Sequence, residues 1–161
     1  MNMKKRFIQA PTFSKSGAGF TLIELTIIFS VIAILSVIGI SVSIDYNRTQ
    51  IVNSAYEGLK TTINTAKSRA LSQRKPSNCD GTLSDYRVYI LQSPSRYYMR
   101  AVCPDPVSVG GIVKLPENVT FDSTPTFIFP VLIGGSSGGT VTLTGYNKSR
   151  TITVDSAGNI Q

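Results

Sequence analysis

Between Leu25 and Ile44 the chain runs for twenty residues without a charge: LTIIFSVIAILSVIGISVSI. As a helix at about 1.5 Å per residue such a run is about 30 Å long, the thickness of a bilayer's hydrocarbon core. A helix that is apolar on every side cannot lie on the surface of a soluble domain, because it offers water no polar face. We read it as a transmembrane segment. The rest of the 161 residues then splits into a short leader and a part large enough for one folded domain.

The flanks set an orientation. The leader MNMKKRFIQAPTFSKSGAG carries Lys4, Lys5, Arg6 and Lys15 and no acid, so this end stays in the cytoplasm and residues 45–161 are delivered across the membrane. The leader holds four of the seven net positive charges; residues 20–161 have 12 Lys/Arg against 9 Asp/Glu, or 12 − 9 = +3. Mild basicity of that size reads as a solvated surface rather than a nucleic-acid footprint. An ordinary secretory signal cut after Ser43, or a plain uncleaved anchor, would also use a basic end and an apolar run. Neither accounts for Glu24, a carboxylate set at the start of that run behind Gly17-Ala18-Gly19.

The stretch GFTLIEL at 19–25, after a short basic leader and before about twenty apolar residues, resembles the class III signal of type IV pilins and pseudopilins. The resemblance implies residues 1–19 as a leader peptide, cut between Gly19 and Phe20 by a membrane prepilin peptidase, and N-methylation of Phe20. It implies 20–44 as a transmembrane and assembly helix, in which Glu24 meets the terminal amine of a neighbouring subunit. A carboxylate in lipid costs roughly 2.5–3.5 kcal/mol or more at the centre. Two unit charges about 4 Å apart recover about 4 kcal/mol at an effective dielectric near 20. Glu24 is thus expected to fix the vertical register of packed helices.

The helical period continues past the apolar run. Val52, Ala55, Leu59, Ile63, Ala66 and Ala70 recur at three- and four-residue steps, and no proline intervenes before Pro76. One helix from about Phe20 to about Gln73 is expected, with 45–75 amphipathic and packed on a sheet by its narrow apolar face. Residues 45–75 are basic, a solvated or packing face with Lys67, Arg69 and Arg74 as candidate DNA contacts in a second reading. The segment 66–74 resembles the end of this helix in the GspH/FimT branch of the pilin family. So do the Gly-rich stretch 134–139 and the threonine-rich and Arg-led strands that follow it. Competence-linked members of that branch bind DNA through arginines around a terminal glycine; here Asn159, Ile160 and Gln161 follow Gly158, without arginine.

Beyond Pro76 the period changes to two. Strands are expected at 86–91 and 97–103 around a 92–96 turn, at 119–121, at 126–133 with Pro130 at an edge or bulge, and as a hairpin of 140–144 and 150–154. Tyr86, Tyr89, Tyr97 and Tyr98 are expected to pack across strands, with base stacking as the competing role. Cys79 and Cys103, an even pair in the exported part, suggest one disulfide. With no histidine and two cysteines, a zinc site or a Ser-His or Cys-His pair is unsupported, and no metal or cofactor is expected. Gly134–Gly139 lacks the Gly-Lys-Ser/Thr ending of a phosphate loop.

The sequence therefore predicts an α+β protein with a type IV pilin fold: a long N-terminal helix packed on the antiparallel sheet of a β-rich head, 76–161. The expected role is a minor pilin of a type IV pilus or related filament rather than an enzyme. A type II secretion pseudopilin and a DNA-binding minor pilin for natural transformation are the alternatives. Expected partners are other pilins, the prepilin peptidase and an inner-membrane assembly platform, with DNA as a further candidate. The expected location is a bacterial inner membrane, single-pass with the head outside the cytoplasm, and after assembly a filament in the periplasm or on the cell surface.

Overall fold

The computed structural model describes residues 19–161, less the side chains of Val37, Ile38, Gly39 and Ser41. The leader reading of residues 1–18 lies outside the described residues. The chain divides into two compact units, Met1–Ser41 and Val42–Gln161.

Helix α1 spans Leu22–Leu71. Its start is set by Thr21, whose Oγ1 accepts the Glu24 N–H at 3.2 Å while its carbonyl accepts the Leu25 N–H at 3.1 Å. That is N-cap geometry. The helix stops two residues short of the expected end, in a Schellman motif. Arg74 N–H bonds the Arg69 carbonyl at 3.0 Å and Gln73 N–H the Ala70 carbonyl at 3.3 Å, with Gln73 left-handed at φ 51°. Pro76 then bars any resumption of the helix.

In the second unit the predicted face, Val52, Ala55, Leu59, Ile63, Ala66 and Ala70, is buried throughout. Three of the six are alanines, and all six share one core with large side chains of the sheet. Those are Tyr86 and Val88 of β1 (Asp85–Leu91), Tyr97 of β2 (Arg96–Val102) and Phe127 and Phe129 of β5 (Thr126–Pro130). The alternation of buried and half-buried positions along β1 and β2 is that of a sheet with one face on the core.

The head contains two antiparallel sheets rather than the one expected. The first has the order β3-β2-β1-β5, with β3 at Val107–Lys114; the second has the order β4-β6-β7, with β4 at Val119–Phe121, β6 at Gly139–Gly145 and β7 at Lys148–Val154. Phe121, Val141, Leu143, Ile152 and Val154 of the second sheet join the same core as the first. The β6–β7 hairpin closes through Tyr146 and Asn147, both left-handed at φ 52° and 60°, as a two-residue primed turn requires.

Strand β3 lies outside the expected strands. Its Gly110-Gly111 pair reads as a breaker, yet it serves as a bulge: 113 to 109 on β3 faces only 97 to 99 on β2. The strand expected at 126–133 ends at Pro130, on the sheet edge where a missing N–H costs nothing, and Leu132 turns left-handed at φ 71°. Cys79 and Cys103 form a disulfide with Cα atoms 5.9 Å apart, tying the connection after α1 to the end of β2.

Candidate functional site

Two parts of the chain carry the functional expectations: the start of α1 and the cations near its end. At the start, Thr21-Leu22-Ile23-Glu24 is a capping-box sequence, Thr at the N-cap and Glu three residues on. The Ser/Thr-x-x-Glu spacing is the signal for it in the sequence, additional to the pilin-like motif. It gives Glu24 a local role beside any intersubunit one. A carboxylate in the first turn lies at the positive end of the helix dipole, worth roughly 0.3–1 kcal/mol at an exposed site.

The apolar side chains at this end of α1 lie on its surface. Phe20, Leu22, Ile23, Ile27, Phe29 and Leu35 are all exposed, and so are large hydrophobics on every side of the described part of the run. Its hydroxyls behave differently. Thr26 donates to the Ile23 carbonyl at 2.8 Å, Ser30 to Thr26 at 2.7 Å and Ser36 to Ile32 at 2.7 Å. Each polar group is satisfied within its own helix, so it asks nothing of the surroundings.

As for a span, no helix among the described residues is long and apolar enough to cross a membrane. Val37, Ile38, Gly39 and Ser41, in the middle of the predicted 25–44 span, lie outside the described side chains; beyond Ser36, Ile40, Val42 and Ile44 are exposed as well.

The three cations singled out near the helix end do not form one cluster. Lys67 faces the C-terminal turn: its Cε lies 3.6 Å from where a Cβ on Gly158 would sit, and its charge helps hold down the pKa of the Asp155 carboxyl. Arg69 and Arg74 instead border two adjoining clefts on the side of β3. Beneath them Tyr86, fully buried, donates its hydroxyl to the Arg74 carbonyl and so fastens the first sheet to the helix cap. Burial raises the Tyr86 pKa, against the opposing pull of Arg69 and Arg74.

The tyrosines divide between the two faces of the sheet. Tyr86 and Tyr97 are in the core. Tyr89 and Tyr98, partners across β1 and β2, stack at 5.2 Å on the outer face, and the Arg100 guanidinium lies 5.5 Å from the Tyr98 ring centre. Their ring faces are occupied by each other and by arginine, which favours the packing role over base stacking. Beside them Arg87 donates to Asp85 at 2.7 Å, and that hydrogen bond raises the guanidinium's pKa.

Among the described residues no cluster of three or more acids or cysteines suited to a metal ion is present.

No family model matches the chain, and no curated protein matches its sequence. Among solved structures it is similar to the minor pseudopilin EpsH from the Type 2 Secretion System of Vibrio cholerae. The TM-score is 0.55 at 11% identity, over 68% of this chain and 94% of that one. The fold is pilin-like. In a pilin-like fold the helix face from Val52 to Ala70 forms one wall of the core, which accounts for its strict three- and four-residue spacing. At this level of identity the likeness is one of architecture, and the residues at the start of α1 must carry any functional argument by themselves.

Proposed function

We propose that this chain is a minor subunit of a type IV pilus or a related filament, held in the membrane and then in the filament by the helix from Phe20 to Ile44. The observation that carries the reading is the uncovered start of α1. Its apolar side chains are exposed all round while its hydroxyls bond their own backbone. Such a surface is costly in water and neutral in lipid or among identical helices. The pilin-like fold of the head and the GFTLIEL motif support the same reading.

In this proposal a peptidase cuts between Gly19 and Phe20, and the new amine is methylated. Glu24 sits one turn from that amine. In lipid it accepts the amine of an adjacent subunit, which sets the stagger between helices. The head does no chemistry in this role, and the chain is itself a peptidase substrate.

N-terminal mass analysis of the protein isolated from its host tests the reading. A methylated Phe20 terminus is expected; an intact leader, or a terminus at Ile44, overturns it. Glu24→Gln should lower incorporation into filaments while leaving the amount of processed protein unchanged. Incorporation at the wild-type level would remove Glu24 from the mechanism.

The likeness to a minor pseudopilin favours a second reading, a subunit of a type II secretion pseudopilus. A deletion strain distinguishes the two. Loss of surface fibres supports the pilus, and retention of exported proteins in the periplasm supports the pseudopilus.

A further inference from the structure

Arg69 and Arg74 stand between two clefts that open along the side of α1. One, of about 460 Å³, is walled by Thr61, Asn64, Thr65, Ser68 and Ser72. The other, of about 340 Å³, runs from Lys75, Ser77 and Asn78 to Ser108 and Gly110 of β3. The two share both arginines, so they form one groove with a guanidinium pair at its middle and Lys75 at one end. No carboxylate lines either part. The ion pairs found among the described residues, Arg87–Asp85 and Lys148–Asp45, lie elsewhere.

Three cations in a concavity with no counter-charge repel one another. Part of this arrangement is explained locally, since positive side chains at a helix C-terminus are favoured by its dipole. That account covers Arg69, in the last turn. It does not cover Lys75, which lies past the cap, or Ser68, Ser77, Asn78 and Ser108 in the walls, while Asn64, Thr65 and Ser72 donate to carbonyls of their own helix. The far wall adds backbone. Gly110 is at the β3 bulge, where residues 110–112 have no ladder partner on β2, and open space lies where its side chain would be. Unpaired N–H groups at such a bulge can face an anion.

We propose that this groove is a binding site for a phosphate-type oxyanion. The guanidinium fork matches phosphate geometry with two parallel hydrogen bonds, Lys75 supplies a point charge, and Ser68 and Ser108 are within the same walls to donate from their hydroxyls, whereas the Ser72 hydroxyl donates to the Ser68 carbonyl at 2.8 Å. Lys67 is excluded from the site, because it faces Asp155 and Gly158. The proposal is independent of the filament reading, since it rests on the head alone.

The test uses the full chain in nonionic detergent, isotope-labelled and titrated with pyrophosphate. Saturable amide shifts are expected at Ser72, Ser108, Gly110 and Gly111. The double variant Arg74→Gln/Lys75→Gln changes two exposed side chains, so its fold should survive. It should weaken binding roughly tenfold or more, about 1.4 kcal/mol, whereas Lys67→Gln should not. Binding should also weaken as salt rises from low to physiological strength. A short duplex oligonucleotide and a short-chain phosphatidylglycerol, run as further arms, show whether a nucleic-acid backbone, a lipid headgroup or free phosphate is preferred. The proposal is overturned by an absence of saturable shifts at the groove, by unchanged binding in the folded double variant, or by equal weakening in Lys67→Gln.

Discussion

The Tyr97 hydroxyl oxygen lies 3.0 Å from the point where a Cβ on Gly58 would be placed. Tyr97 is 3% exposed, its ring edge-on to Phe121 at 6.4 Å, so it has little room to retreat. Helix α1 therefore needs glycine at this one interior position, where propensity alone would prefer alanine by roughly 1 kcal/mol. Overpacking a core costs roughly 1–3 kcal/mol. Gly58→Ala should lower stability by about 1 kcal/mol net. Adding Tyr97→Phe should relieve the clash, so that the double variant is more stable than the two single losses add up to. Denaturant melts of the four proteins decide it, and additive losses would show that the contact is not responsible.

At the other end of the helix, Gln73 holds a left-handed conformation that costs a side-chain-bearing residue roughly 1–2 kcal/mol. It is exposed, so little else depends on its side chain. Gln73→Gly should raise stability by about 0.5–1 kcal/mol after the entropy of the freer unfolded chain is counted. Gln73→Val should lower it. Both are read from the thermal midpoint of the head.

The Cys79–Cys103 bridge closes a loop of sequence separation 24. A loop of that size restricts the unfolded chain enough to stabilise the fold by about 3 kcal/mol. Replacing both cysteines by alanine, or melting under reductant, should lower stability by about 2–5 kcal/mol. Hydrogen exchange should show the first loss of protection around the 76–84 connection. An unchanged midpoint under full reduction would contradict this.

Two carboxylates give the head an acid limit. Asp122 accepts the Thr142 N–H at 2.8 Å and the Ser123 hydroxyl at 2.9 Å, and the backbone bond from Thr142 chiefly holds its pKa below the ordinary value. Asp155 accepts the Asn159 side chain at 2.9 Å and its N–H at 2.7 Å, and is held down mainly by the side-chain bond. A carboxyl whose pKa is lower folded than unfolded adds stability above its unfolded value, near pH 4, and loses it as pH falls through the folded one. Stability should be flat from neutral pH to about 5 and decline below about 4. Asp122→Asn should be less stable at neutral pH and show a shallower decline. An identical slope in the variant would remove Asp122 from the acid response.

Much of the head was legible because its core obeys simple periods. Each of the six helix positions from Val52 to Ala70 is buried, and the 140–144 and 150–154 strands pair as expected. What escaped notice depends on contacts distant in sequence or on rules of local closure. Gly110-Gly111 looks like an ending because nothing local reveals the strand that β3 pairs with. Lys67, Arg69 and Arg74 are close in sequence, but 67 and 69 are roughly 200° apart around a helix, and the helix ends before 74. Linear proximity therefore suggested a patch that helix geometry divides. The anion groove was invisible for the same reason, since its far wall, Ser108, Val109 and Gly110, comes from β3.

The back-bonded hydroxyls of Thr26, Ser30 and Ser36 leave the start of α1 without sticky spots along its length. In the proposed membrane-to-filament transfer, a rod so sealed would pass from one apolar setting to another, or rotate in place, with no hydroxyl bond to break and none to remake. In the filament role proposed above, its depth and heading would then be dictated from its two ends, by Glu24 near the tip and by the head.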